Sequence, residues 1–475
     1  MTGEDRRNLG RELGQLEGAG LITQAAASAE LEYAFRHALI QDAAYETLLK
    51  QERRLLHKDV AETLLALYPE READLAPVLA DHFERAGDDI HALQYLVLAA
   101  RGAASRYARR EAMGFARRAL AMMSTDEDIS REDRELRAEL RLLEAEAGAD
   151  SVPIAEQHAW LKAVIADSEV LGNTEMPARA WLQMAQGRAV SGEQSRSSED
   201  LALAIKRATE LAAASGSDAL IARAMMVEGQ AHYFSSEFPE AIEAFERAVP
   251  ALIAAGRYYG ASIAAGQAGT AFGHVGDFDK AVSWTDRSYE LGVTSGDPNA
   301  SLDADLARSI VESLRGDSGS AIDYATKAID VADQVDNKAC AMVARSVIGE
   351  QHLREGDAAE AAIALEASAD LAVYCQFMPV RIEQTQLLLQ TARSRTGVGS
   401  VEWGRYERAL ELARQYGDRL VEAELFEQRA GDRIAAGQEA IADDDLAHAE
   451  ALYEELGAVA DLQRIRDSRV SQPTA

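Results

Sequence analysis

Only two cysteines, Cys340 and Cys375, occur among 475 residues, without metal-ligand spacing or another thiol close by. A disulfide framework and a zinc site are therefore not indicated, and both residues read as reduced core thiols of a cytoplasmic protein. Aromatic residues make up 6% and prolines number nine, while hydrophobic residues reach 47% with alanine prominent. That mixture describes thin, closely packed helices rather than a strand-rich core. Long apolar runs are missing too: the stretch from Leu93 to Ala100 stops at Arg101, and the opening MTGEDRRNLG is charged. Neither a membrane span nor a secretion signal is indicated. Positive charge is scarce, with 49 basic against 80 acidic residues and a net charge of −31. Such a field repels phosphate backbones and anionic lipid, which argues against nucleic acid or a membrane as partner.

Catalytic signatures are lacking as well. No GxxxxGK[ST], HExxH, paired CxxC or GxSxG pattern occurs,. GDSGSAI at 316–322 is rich in Gly and Ser but has no Lys. The acidic run Asp443, Asp444, Asp445 falls near the start of an expected helix, where carboxylates favour the helix dipole without any bound cation,. The chain is read as a non-enzyme, with no catalytic residue, cofactor or metal assigned.

What is present is a repeat. From Gly276 the same loop position returns at Gly316, Gly356, Gly397 and Gly437, at intervals of 40, 40, 41 and 40 residues. Five residues after each comes Ala281, Ala321, Ala361, Glu402 or Ala442. Leu171, Leu211, Leu291 and Leu371 carry the phase upstream. A constant spacing of this size implies stacked helical hairpins, none able to bury its apolar face alone. About nine hairpins are expected, one over roughly 75–120 and eight more whose second helices end near 172, 213, 254, 293, 333, 373, 414 and 456. Gly276, Gly316 and Gly356 suit a helix end in the left-handed conformation, and the following Asp277, Asp317 and Asp357 suit caps of the next helix,. Gly229, Gly269 and Gly349 lie inside first helices, where glycine costs about 1 kcal/mol and implies a close partner helix,.

The residues Gly269, Phe272, Gly276 and Ala281, with Phe245 and Ala248 one repeat earlier, resemble the tetratricopeptide repeat. The usual period of that family is about 34 residues, its early Trp is absent here, and its terminal Pro survives only as the displaced Pro250,. Helices longer by about one and a half turns per pair account for the difference. The expected fold is an all-α, tetratricopeptide-like solenoid over 121–466, with 467–475 as a disordered tail.

The N-terminal quarter has its own phase. Residues 1–36 read as a short helix carrying Leu9, Leu13 and Leu16, then two short strands, which is how a winged-helix domain ends,. The earlier helices of such a domain would lie before Met1. Residues 37–120 read as adaptor helices and the first hairpin, in which Gly87, Asp88 and Ala92 repeat the loop pattern. His37 and His57 lack any accompanying carboxylate or thiol and read as packing or hydrogen-bonding residues,. Ser130 with Asp133 resembles a capping box opening a helix that runs to about Ala147,.

From Leu9 to Leu120 the chain resembles the segment after the ATPase module in large bacterial signalling proteins that combine a class III adenylate or guanylate cyclase, a signal-transduction ATPase and tetratricopeptide-like repeats. Related ATPase-plus-repeat transcription regulators share this segment. The resemblance rests on Phe35, Arg36, His37, Leu39, Ala44, Tyr45, Leu48, Leu49, Arg53, Leu56, His57 and Ala61, then Leu79, Ala80, His82 and Gly87, then Arg110, Glu111 and Ala112. It implies a sensor or regulatory array that restrains an ATPase or cyclase module until a protein or peptide ligand binds. Names of cyclase or ATPase would then be inherited from longer relatives, and a role in transcription is the further alternative.

By repeat register, first helices would line a partner groove through Arg223, Gln230, Tyr233, Thr270, His274, Asp303, Ser313, Glu350 and Arg354. The basic stretch Arg101, Arg106, Arg109, Arg110, Arg117 and Arg118 is a solvated helix face or a docking surface for an acidic partner or an upstream module,.

Overall fold

The structure is a computed structural model and describes residues 3–24, 33–106, 108–124, 129–148, 152, 154–191, 198–375 and 378–470. The chain forms two compact units, Met1–Met122 and Met123–Ala475.

In the first unit, α1 (Gly3–Gly18) leads into β1 (Ile22–Gln24) and β2 (Tyr33–Phe35), which pair antiparallel with Ile22 opposite Phe35. Helices α2 (Ala38–Glu46), α3 (Lys50–Leu67), α4 (Glu72–Ala86), α5 (Asp89–Ser105) and α6 (Arg109–Met122) follow. Gly87 ends α4 with φ of +75°, and Asp88 accepts the backbone N–H of His91 at the start of α5. His57 lies 3.0 Å from the Tyr45 hydroxyl, and its Nδ1 lies 2.8 Å from Nδ1 of His82. One of these facing nitrogens must donate and the other accept, so the pair favours neutral rings. Burial, the charge of His82 and Arg85 lower the pKa of His57; burial and Arg85 lower that of His82, opposed by Asp81. His57 thus joins α2, α3 and α4, whereas His37 is exposed at the N-cap of α2 and makes no side-chain cap bond.

Among the described residues the second unit contains eight helical hairpins. They are α7 (Arg131–Ala147) with α8 (Ile154–Leu171), α9 (Glu175–Ser191) with α10 (Ser198–Ser215), α11 (Asp218–Phe234) with α12 (Phe238–Ala254), and α13 (Tyr258–His274) with α14 (Phe278–Ser295). Next come α15 (Pro298–Arg315) with α16 (Ser318–Val335), α17 (Lys338–Glu355) with α18 (Ala358–Ala369), α19 (Pro379–Arg395) with α20 (Trp403–Tyr416), and α21 (Arg419–Ala435) with α22 (Glu439–Glu455). A last helix, α23 (Val459–Val470), runs past residue 467, where the sequence reading begins a tail. The remainder of that tail, 471–475, lies outside the described residues.

The loops follow the expected chemistry. Gly276, Gly316, Gly356, Gly397 and Gly437 all have φ between +72° and +88°. Asp277, Asp317 and Asp357 accept the backbone N–H groups of Lys280, Ser320 and Glu360, and Ser130 caps α7 through the N–H of Asp133. Consecutive odd-numbered helices of this unit, up to α21, pack directly on one another; consecutive even-numbered helices make at most marginal contact among the described residues. This asymmetry curves the array with the odd helices on its inner side.

Within hairpins the contact is closest at the helical glycines. A Cβ on Gly269 would meet Thr285 Cγ2 at 2.7 Å and the Ala281 carbonyl oxygen at 3.0 Å. One on Gly229 would lie 2.7 Å from the Phe245 ring, and one on Gly349 would collide with the Leu365 side chain. Cys340, half-buried, and Cys375, buried, are thiols rather than disulfide partners.

Asp305 on α15 is half-buried, and desolvation, opposed by Lys327, raises its pKa from 3.8 to about 6. The folded value lies above the unfolded one, so this group's contribution to stability is complete below pH 3.8 and is lost as pH rises through about 6,. Asp305→Asn is expected to leave the melting temperature unchanged at pH 4 and to stabilise by about 1 kcal/mol at pH 8, a figure reduced for solvent screening. Thermal melts at the two pH values check this.

Candidate functional site

Carrying the repeat register through its single 41-residue step places Arg223, Asp303, Gln384, Glu424 and Arg464 at one equivalent position, thirteen residues before the loop glycine where that loop is present. The structure brings the last three together with several expected groove residues.

Tyr233 on α11 lies beside Thr270 on α13 and interacts with Arg381 on α19 and with Glu424 and Asp418 of α21 and its cap. Arg381 donates to Glu424 Oε2 at 3.1 Å, and Gln384 donates to the same oxygen at 2.6 Å. Burial raises the pKa values of Glu424 and Asp418 despite the opposing charge of Arg381, and Glu350 and Asp461 push Glu424 further up. Acid therefore exceeds base around Arg381, even though its side chain is 39% exposed and that of Glu424 24%.

A second chain of contacts adjoins the first. His274 Nδ1 lies 2.8 Å from Asp461 Oδ2 on α23, and the His274 ring stacks on Phe238 at 4.5 Å. Arg464 donates to Asp461 at 2.7 Å and grips Glu427 with two hydrogen bonds of 3.0 and 2.7 Å. Tyr453 donates to Glu427 as well, and Arg354 interacts with it electrostatically. Burial works against the Asp461 charge, but His274 and Arg464 outweigh it and hold the carboxyl well below the usual range.

The expected groove residues therefore separate into groups. Tyr233, Thr270, His274, Glu350 and Arg354 converge on this region. His274 and Thr270 are buried rather than open to a ligand: His274 is covered by α23, and the Thr270 hydroxyl bonds the Gly266 carbonyl. Gln230 is also buried, against Gln267. Arg354 bonds Glu350 at 2.5 Å and the carbonyl and hydroxyl of Ser313, which also accepts from Gln351. Arg223 sits apart, bound to Glu146 and Gln183, and Asp303 accepts from the Cys340 thiol. Arg381, Gln384, Glu424, Glu427, Asp461 and Arg464 are additions from the structure.

In the first unit, Arg118 turns toward α4 and pairs with Asp81 and Glu84. Arg101, Arg106, Arg110 and Arg117 are exposed and Arg109 is half-buried. Arg110 and Arg117 are seven residues apart and share one face of α6,. Among the described residues no cluster of His, Cys, Asp and Glu is arranged to hold a metal, and no helix is long and apolar enough to cross a membrane.

Stacked two-helix repeats with inner first helices and a polar inner face define an all-α, tetratricopeptide-like solenoid. No family sequence profile matches the chain, and no curated protein matches it in sequence. Among solved structures it is similar to a Rap protein complexed with competence and sporulation factor, at 13% identity over 71% of this chain and 99% of that one, with a TM-score of 0.44. It is similar to aspartyl phosphate phosphatase F from Bacillus subtilis at 11% identity over 76% and 94%, with a TM-score of 0.49. A signal transduction ATPase with numerous domains and a tetratricopeptide repeat sensor, from Pyrococcus horikoshii, matches 94% of this chain at 13% identity and a TM-score of 0.43. This chain spans 60% of that protein's length.

Proposed function

We propose that the second unit is a non-catalytic scaffold that binds a peptide or protein segment along its inner face. The carrying observation is the convergence of Tyr233, Glu350, Arg354, Arg381 and Glu424 from α11, α17, α19 and α21 into one polar surface that still admits solvent. Long charged side chains on rigid helices suit recognition of an extended or helical segment, and an aromatic beside an arginine supplies the residue types that dominate binding energy. The excess of carboxylates around Arg381 favours a segment with a basic residue or a free amine. In this reading the array serves as the sensor and regulatory part of a signalling system of the ATPase or cyclase kind. The exposed Arg101, Arg106, Arg110 and Arg117 then form a docking surface for an acidic partner or an upstream module.

Selecting random 15-residue peptides on the immobilised full chain tests the groove. Enriched peptides are expected to lose at least tenfold in affinity on Glu424→Gln and on Tyr233→Ala. Peptides that bind wild type and both variants equally would place recognition elsewhere and refute the reading.

A further inference from the structure

Helix α23 occupies the inner-helix position of the repeat register, with Arg464 forty residues after Glu424. Its packing departs from that position. Every earlier inner helix of the unit packs on its predecessor, whereas α23 packs mainly on α22, meets α21 chiefly through Arg464 and Glu427, and reaches across to α13 and α15. The bond that holds it there, His274 to Asp461, joins residues 187 positions apart. Side chains of α23 therefore fill places on α13 and α21 that a separate segment could take. Asp461 meets His274, Arg464 meets Glu427, and Val459 lies over Gly276, where a Cβ would stand 3.5 Å from it. The apolar hold comes from buried Ala460 and Ile465 and half-buried Leu462, and Val459 itself is largely exposed. A helix fixed by a few polar contacts and little buried apolar surface belongs to the low-stability end of a fold.

We propose that α23 is a resident occupant of the inner face, seated where a partner docks. The partner is an amphipathic helix with an apolar residue, a carboxylate and an arginine spaced as Val459, Asp461 and Arg464 are. This rests on the inner face being a binding surface and adds the chemistry of the ligand and its competition with α23. The groove supplies an imidazole for the carboxylate, a carboxylate for the arginine, and a glycine that leaves room for the apolar side chain. The partner binds only as far as its contacts exceed those that α23 makes in cis.

A fluorescein-labelled peptide of residues 457–470 is the probe, titrated into the full chain by fluorescence anisotropy. The double variant Asp461→Asn with Arg464→Gln, which weakens the resident helix, is expected to bind it at least tenfold more tightly than wild type. Adding His274→Ala should reverse that gain, with circular dichroism confirming that each variant is folded. Equal binding by wild type and the double variant overturns the proposal. Hydrogen exchange on the wild-type chain gives an independent reading: amides of α23 are expected to exchange at least tenfold faster than those of α21, and equal protection also overturns it. Random peptides that bind through Tyr233 and Glu424 without competition from the 457–470 peptide would leave the groove intact and refute only the role of α23. Binding by neither kind of peptide would refute both.

Discussion

Gly269→Ala is expected to destabilise the central hairpin by about 2 kcal/mol, the balance of an overpacking cost of about 3 and a helix-propensity gain of about 1. The cost is high because the new methyl meets backbone as well as side chain. The Ala281 carbonyl oxygen at 3.0 Å and the Thr285 N–H nitrogen at 3.1 Å belong to the facing helix and cannot turn aside. At Gly349 the obstruction is the Leu365 side chain alone, so the loss there should be smaller. Gly431 is the control: it also lies inside a helix, but a Cβ there would meet nothing within 4 Å. Gly431→Ala should therefore stabilise by about 1 kcal/mol. Thermal melts of the three variants, with hydrogen exchange to localise the effect to α13 and α14, distinguish helix spacing from propensity. A neutral Gly269→Ala would mean that the hairpin opens at low cost.

Asp445→Ala is expected to cost about 3 kcal/mol, because it removes the buried carboxylate shared by Arg429 and Arg433 and leaves Arg429 to the largely exposed Glu407,. Asp445 is buried and receives two hydrogen bonds from Arg429, at 3.0 and 2.6 Å, and one from Arg433 at 2.6 Å. Arg429 is buried too, over the Phe426 ring, so the charge left behind has little access to water. Its neighbours Asp443 and Asp444 are exposed, and their replacement by Ala should change stability by less than about 0.5 kcal/mol,. The same series separates an ion-pair role from a cation site: added calcium is expected to leave the melting temperature unchanged. A calcium-dependent rise that disappears in the Asp443 or Asp444 variant would contradict the ion-pair assignment.

The architecture was legible because its determinants are local. A left-handed glycine, a capping aspartate and an alanine five residues on each act within one hairpin, so the 40-residue period, the helix ends and the tight Gly269 contact follow from spacing alone. The inner face was legible only in part. Tyr233, Glu350 and Arg354 follow from the register, but Arg381 and Glu424 lie beyond the 41-residue step that shifts it by one. The added residue falls between Leu371 and Gly397, after α18 has ended early at Ala369. Burial of His274 had no local signal, since its partner is supplied by curvature accumulated over several hairpins. The three acids at 443–445 show the same limit: spacing places them on one helix, but only packing shows that Asp445 alone faces Arg429.

The bond between His274 and Asp461 also bears on how the array comes apart. A linear stack interacts only through neighbours, so hairpins can fray from either end in separate steps. A tie between α13 and α23 makes the intervening hairpins a closed ring, in which no member leaves without straining or breaking the tie. Unfolding of that segment then becomes a single cooperative event. Releasing α23 would return it to stepwise fraying, so the breadth of the melting transition itself reports whether the ring is open or shut.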